Sequence, residues 1–378
     1  MGNKILPLLV FVFFTATTFA QESQNTGKKI IPIPEFSYSS DFGLKVAGEI
    51  LVYDYGFNSK TPFETFNRYR LSYSTVGAFA MHYISKRTDP FSEGSRIEWY
   101  GFITRNISDY FLGNTAENEF DDLKFDENEF YHFKMDRIDL KALIRLPVGN
   151  WDDDKFQSKV GLNFIYERPF DLSENQFLED ENIEGKNGAL LSVLESGIVI
   201  DKRNSEFRAS KGYLIDFGVR WALPFVSKYH NVQNSLNLLS FLPIYDGLFF
   251  TSLASRITLT QSFGELPYWQ YPALGGSGTI RGFMYRRFTS ENTLSYSLEA
   301  RSWFFKLPYK NIELGGQVFV DGGKAFTNEN WDSLFLEHKT ALGFGGVMSI
   351  FTPDFIMKAE IGFSEDGTGV YLGTGYSF

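Results

Sequence analysis

The chain has 378 residues, with 36 basic and 46 acidic side chains and a formal charge of −10, a balance that disfavours nucleic acid or any other polyanion as a partner. It contains no cysteine, which excludes disulfides, thiolate zinc sites, lipid attachment at an N-terminal cysteine and catalysis by a thiol. Its 40 Phe and 20 Tyr are dispersed among polar residues instead of gathered in apolar blocks, an unusual composition for a soluble globule.

In chain order, the first segment is an address. Lys4, the apolar run Ile5–Phe14 and the small-residue site ending at Ala20 read as a signal peptide over residues 1–20, because the run is shorter than the ~20 residues a spanning helix needs. Residues 21–33 are expected to be a short periplasmic N-terminal segment, at about a dozen residues too small for a separate module. Residues 34–378 read as one domain. No later stretch resembles a transmembrane helix, since charges or glycines interrupt every apolar run.

From there on the pattern has period two. "KVGLNFIYE" sets Val160, Leu162, Phe164 and Tyr166 against Lys159, Gly161, Asn163 and Glu167, with Ile165 the exception. "YLIDFGVRW" alternates Tyr213, Ile215, Phe217, Val219 and Trp221 with Leu214, Asp216, Gly218 and Arg220. "LFFTSLASRITLTQSF" places Phe249, Leu253, Ile257, Leu259 and Phe263 opposite Ser252, Arg256, Thr258, Thr260 and Ser262. The last stretch, "VYLGTGYSF", puts Val370, Leu372, Tyr376 and Phe378 on one face and Gly373, Gly375 and Ser377 on the other. Such alternation fits a soluble sandwich or a transmembrane barrel. Export, long strands and aromatics near strand ends favour the barrel.

About sixteen alternating stretches can be counted, an even number as a single-chain bacterial barrel requires. The expected fold is therefore all-β: a transmembrane antiparallel β-barrel in the bacterial outer membrane, surrounded by lipid and lipopolysaccharide, with both termini periplasmic. Odd-to-even connections then lie outside and include the acidic stretches 114–130 and 171–186. Even-to-odd connections such as 149–154 are shorter, 56–67 excepted.

The connection between the eleventh and twelfth strands holds "GGSGTIRGFMYRRF", four glycines within eight residues followed by Phe283 and the arginines Arg281, Arg286 and Arg287. Arginines on such a loop can be solvated. The glycines argue for a loop folded back into a confined space, because they allow left-handed conformations and close backbone approach. A guanidinium enclosed there needs carboxylates. Parity places Glu299 and Arg301 of "LSYSLEARSWFF" and Glu313, Gln317 and Asp321 of "IELGGQVFVDGGKAF" on the lumenal face, with Phe319 an apolar exception. Arg281 is accordingly expected to bridge to Glu299, Asp321 or both.

"GGSGTIRGF", "SLEARSWFF", "VFVDGGKAF", "VIDKRNSEFRASKGY" (199–213) and "YLGTGYSF" together resemble the bacterial surface antigen family, the barrel of BamA/TamA-type outer-membrane assembly and translocation proteins. The likeness is strongest from about residue 190 onward. It implies a sixteen-stranded barrel whose sixth extracellular loop enters the lumen, with Arg281, Gly282 and Phe283 as the loop tip and Glu299 and Asp321 as its acidic partners. It implies insertion of barrels into the outer membrane or passage of polypeptides across it, through a weakly paired seam between first and last strands. Gly373 and Gly375 would weaken that seam, although they also make lumenal room. Tyr376 and Phe378 end the chain like the aromatic terminus by which client barrels are recognised, a feature that suits a client as well as an assembly factor.

The chain departs from that family in lacking space for POTRA domains, so recruitment of client polypeptides would fall to a separate periplasmic partner. Its start, 31–50, with "YFLGN" (110–114), looks more like the barrel attached to patatin-type secreted lipases. "GGSGT" lacks the last glycine of G-x-S-x-G, and His82, His132, His230 and His338 are scattered, so neither an enzyme nor a metal or cofactor site is expected. The alternative to a polypeptide-handling role is a plugged or narrow channel, or a structural surface protein.

Overall fold

Alternation of period two becomes pairing between chain neighbours. The computed structural model describes residues 26–39, 43–57, 60, 63–113, 125, 130–149, 156–174, 176–179, 182–245, 250–307, 312–350 and 352–378. Among them run β1 Lys28–Ser39, β2 Gly43–Asp54, β3 Thr65–Ser74, β4 Phe79–Thr88, β5 Arg96–Tyr110, β6 His132–Pro147, β7 Phe156–Phe170, β8 Ala189–Asp201 and β9 Gly212–Ala222. They are followed by β10 Asn231–Tyr245, β11 Phe250–Gly264, β12 Ala273–Leu274, β13 Phe288–Thr289, β14 Asn292–Leu307, β15 Ile312–Phe326, β16 Lys339–Ile350, β17 Thr352–Ser364 and β18 Gly367–Thr374. Sixteen of these strands close into one barrel, in which β18 meets β1 and β11 pairs directly with β14, while β12 and β13 form a separate two-stranded sheet. Every pairing is antiparallel.

The two faces of the wall differ as the alternation requires. On β7, Val160, Leu162 and Phe164 are exposed by 45–48%, whereas Lys159, Asn163 and Glu167 between them are buried. A soluble sandwich has the reverse distribution. An apolar exterior around a charged interior suits a barrel whose surroundings are hydrocarbon. Interior charges are paired across strands, as at Arg70–Glu35 (2.8 Å), Lys141–Glu195 (2.7 Å) and Arg145–Glu98 (3.0 Å), because an unpaired charge there is costly.

Long connections collect at one end of the barrel. Phe111, Phe133, Leu178, Leu191, Tyr268 and Trp269 pack there into one apolar cluster. Ile165, the residue that broke the alternation of β7, belongs to it and is 1% exposed. At the short-turn end, the unusually long β2–β3 connection is held by Phe63, fully buried against the rings of Tyr53 and Phe66.

Two strand limits differ from the sequence reading. β1 begins at Lys28, ahead of the boundary at residue 34, and its ladder with β2 starts at Lys28↔Asp54. Pro32 and Pro34 had disguised this strand, since proline is rare in sheets except at edges. The last strand, expected to run through Phe378, ends at Thr374. Gly375, with φ of 76°, turns the chain away. The proposed signal peptide, residues 1–20, lies outside the described residues, as do most of 114–130 and 149–154.

Candidate functional site

The loop of residues 265–291 between β11 and β14 is pinched by the β12–β13 pair, Ala273↔Thr289 and Leu274↔Phe288. Beyond that pair Gly275 and Gly276 take φ of 111° and 81°, and the Gly276 amide donates to the Phe283 carbonyl at 3.0 Å. The chain thus doubles back and presents Arg281 at its tip. Ile280 and Phe283 pack with Leu274, Phe288, Ala325 and Ala341, which ties the tip to β15 and β16. Phe283 and Phe288 meet edge to face at 5.2 Å.

Arg281 is the centre of a buried network. Its Nε and NH2 donate to the two oxygens of Asp321 at 2.7 and 2.8 Å, a bidentate fork. NH2 also lies 2.7 Å from Glu299 Oε1, and NH1 donates to Glu360 Oε1 at 2.7 Å. The arginine is 1% exposed and the three acids are fully buried. Arg301 pairs with Glu299 at 2.6 Å and Lys358 with Glu360 at 2.7 Å, so three carboxylates face three cations. Burial would push the Arg281 guanidinium pKa down, but the hydrogen bond it donates to Asp321 and the charges of Glu299, Asp321 and Glu360 hold it above the usual value. Its carbon centre lies 3.4 Å from the centroid of Phe319. That ring, the apolar exception on this face, forms the floor under the guanidinium.

Gly282 carries the tip onto the neighbouring strands. With φ of 104° it donates its amide to Tyr371 OH at 3.1 Å and accepts from Ser364 Oγ at 2.9 Å. Gly362 on β17 faces it so closely that a Cβ there would meet the Arg281 carbonyl carbon at 2.7 Å. The other two arginines also anchor the loop. Arg286 donates to the carbonyls of Tyr268 and Tyr271 at 3.1 and 3.3 Å, and Arg287 pairs with Asp366 at 2.8 Å. Tyr268 in turn donates to Glu167 Oε1 on β7 at 2.7 Å.

The seam between first and last strands is short. Among the described residues β1 and β18 pair only at Tyr38↔Leu372 and Ser39↔Tyr371, whereas β1 pairs with β2 along its whole length. After Gly375 the tail enters the interior. Tyr376 lies under Arg301 at 3.9 Å and edge-on to Trp303. The Phe378 ring meets Arg256 and Arg301 at 5.0 and 4.8 Å and Phe241 at 6.5 Å. Arg301 NH2 donates to the Phe378 carbonyl at 3.0 Å, and Arg256 NH1 to that of Ser377 at 3.3 Å. Tyr376 and Phe378, assigned by alternation to the outer face, are therefore turned inward.

The residues named from sequence fall into two places. Arg281, Gly282, Phe283, Glu299 and Asp321 come together at the loop tip; Gly373, Gly375, Tyr376 and Phe378 lie at the seam and tail. Arg281 NH1 also reaches Ser377 Oγ at 3.4 Å, joining the two. Sequence reasoning missed Glu360 and Lys358. The signal was present, since in "IMKAEIG" Lys358 and Glu360 share a parity opposite to Met357, Ala359 and Ile361.

Residues 68–378 match the model of the Omp85 superfamily domain. Among solved structures the chain is similar to BamA from Haemophilus ducreyi lacking POTRA domains 1–3, at 14% identity and a TM-score of 0.58, covering 93% of this chain and 71% of that one. It is similar also to CdiB from Escherichia coli (11%, TM-score 0.59, covering 93% of this chain and 68% of that one). CdiB from Acinetobacter baumannii matches at 12% identity and a TM-score of 0.55, covering 92% of this chain and 60% of that one, so the chain spans less than two thirds of that protein. A search of curated protein sequences finds no match. At these identities the solved structures speak to the fold, and the domain match extends over most of the barrel: the chain belongs to the Omp85 superfamily.

Proposed function

We propose that this barrel assists the insertion or translocation of polypeptides at the bacterial outer membrane, with loop 265–291 folded into the lumen as a plug and the β1–β18 seam as the place where a strand is received. Family and BamA-like fold point to an outer membrane. The observation that carries the reading is the seam, which among the described residues holds two residue pairs, beside a ladder that runs from Lys28 to Ser39 on the other flank of β1. A junction with so few hydrogen bonds parts at low cost and offers backbone groups to an incoming chain. Lipid and lipopolysaccharide would surround the barrel, and a separate periplasmic partner would deliver client polypeptides.

Depleting the protein and measuring other outer-membrane barrels tests this role: their levels should fall, and unchanged levels would argue against a general insertase. A second reading, a plugged or structural barrel, is favoured by the buried ion-pair network around Arg281. It expects no client to touch the seam.

A further inference from the structure

We infer that the usable edge of the seam is limited from the β1 side: Pro32 and Pro34 face β18, and they confine strand addition on β1 to its Phe36–Ser39 end. The orientation follows from the opposite flank. The β1–β2 ladder passes unbroken through Pro32↔Ile50 and Pro34↔Gly48. Bonded and non-bonded pairs alternate in an antiparallel ladder, the Tyr55 amide donates to the Gly27 carbonyl at 3.0 Å at the start of this one, and a proline, having no N–H, could make only one of the two bonds of a bonded pair. The bonds to β2 therefore fall on odd-numbered residues. The backbone groups of Ile30, Pro32, Pro34, Phe36 and Tyr38 face the seam, and on the other side of it the Gly375 amide donates away from the seam, to the Ile356 carbonyl, so that the even-numbered residues of β18 face β1.

Continuing that register sets Thr374 opposite Phe36, Tyr376 opposite Pro34 and Phe378 opposite Pro32. In an extended β18 the carbonyls of Tyr376 and Phe378 would then meet two nitrogens that carry no hydrogen. Within hydrocarbon a strand carbonyl has no water to turn to. The chain leaves the sheet at Gly375, just ahead of these positions, and the Phe378 and Ser377 carbonyls take their donors from Arg301 and Arg256 instead. The half-paired seam is thus written into β1 as well as into the tail. Any second polypeptide strand meets the same barrier. If the seam receives clients, a consequence that rests on the proposed function, they bond β1 at Phe36 and Tyr38 and cannot zip toward Lys28.

The absence of cysteine allows a direct test on the purified, folded barrel. Ile33→Cys and Ser377→Cys would face each other in an extended seam. Gly375→Val disfavours the inward turn, and Arg301→Ala releases the tail by another route should that variant not fold. With the prolines in place, the released tail should give little 33–377 disulfide. Adding Pro32→Val and Pro34→Val restores two donors and should raise the disulfide yield about tenfold. Equal yields with and without the prolines, or no disulfide after their replacement, would overturn the inference. No client is present in this assay, so its failure leaves the polypeptide role standing, and a failed depletion experiment leaves the proline barrier standing.

Discussion

One arginine holds three acids that lie on three different strands. Glu299, Asp321 and Glu360 belong to β14, β15 and β17, so removing the Arg281 guanidinium leaves Asp321 buried without its cation and Glu299 and Glu360 with Arg301 and Lys358 alone. Arg281→Ala should cost about 3–5 kcal/mol and lower the temperature at which the compact, heat-modifiable gel band disappears. Arg281→Lys should recover part of the loss, because an ammonium cannot fork across Asp321 while reaching the other two. An alanine variant that melts like the parent would remove the network from the account. Parity made Glu299 and Asp321 legible in advance. Phe319 was visible only as an anomaly, since the partner that makes an aromatic ring useful there comes from a loop whose path no periodicity records.

A second residue sets a pH dependence at the opposite end of the barrel. Glu206, in the turn between β8 and β9, reaches Lys86 at 2.6 Å and Arg96 at 3.2 Å. Burial pushes its carboxyl up, but the charges of Lys86 and Arg96 outweigh this and bring it from 4.5 down to about 2. The folded barrel therefore holds this proton less readily than the unfolded chain. The stabilisation is complete above the unfolded value and fades as pH falls toward 2. Thermal melts of parent and Glu206→Gln should be well separated at neutral pH and converge in acid; a gap independent of pH would contradict this.

The loop 265–291 is fastened at two places, by Arg281 at its tip to β14, β15 and β17 and by Tyr268 near its start to β7. The attachments are separable. Tyr268→Phe leaves Glu167 without that donor and should cost about 1–3 kcal/mol, exposing the long-loop end to protease while the Arg281 end stays seated. Gly362→Val acts at the other attachment, because its side chain would occupy the space of the Arg281 backbone. It should unseat the tip and increase cleavage near Gly282, with Tyr268 still bound. Equal cleavage patterns for the two variants would mean that the loop moves as one piece. Strands were legible because a wall with one oily and one charged face prints period two on the chain. Their limits failed where something other than the pleat decided them: prolines concealed the start of β1, and the inward turn at Gly375 cut β18 short of Phe378.

For the whole molecule, a single ring of strands has one weak joint. Every other neighbouring pair is laddered at length, while β1 and β18 share Tyr38↔Leu372 and Ser39↔Tyr371 among the described residues. The loop tip touches that joint through the bond from Gly282 to Tyr371, and the tail reaches the Arg281 network through Ser377. Loop, tail and seam are therefore one connected structure. The sequence indicated a barrel and a loop tip, but not a tail inside it, because alternation alone cannot tell an outward aromatic from one that has left the sheet.

The proposed role turns on whether the joint must open. Tyr38→Cys and Leu372→Cys, joined by a short thiol-reactive cross-linker in cells whose only copy carries both, would hold it shut in a chain with no other cysteine. The joined barrel should reproduce depletion, with other outer-membrane barrels falling, while either single cysteine behaves as the parent. Normal levels of those barrels with the seam fully cross-linked would contradict it.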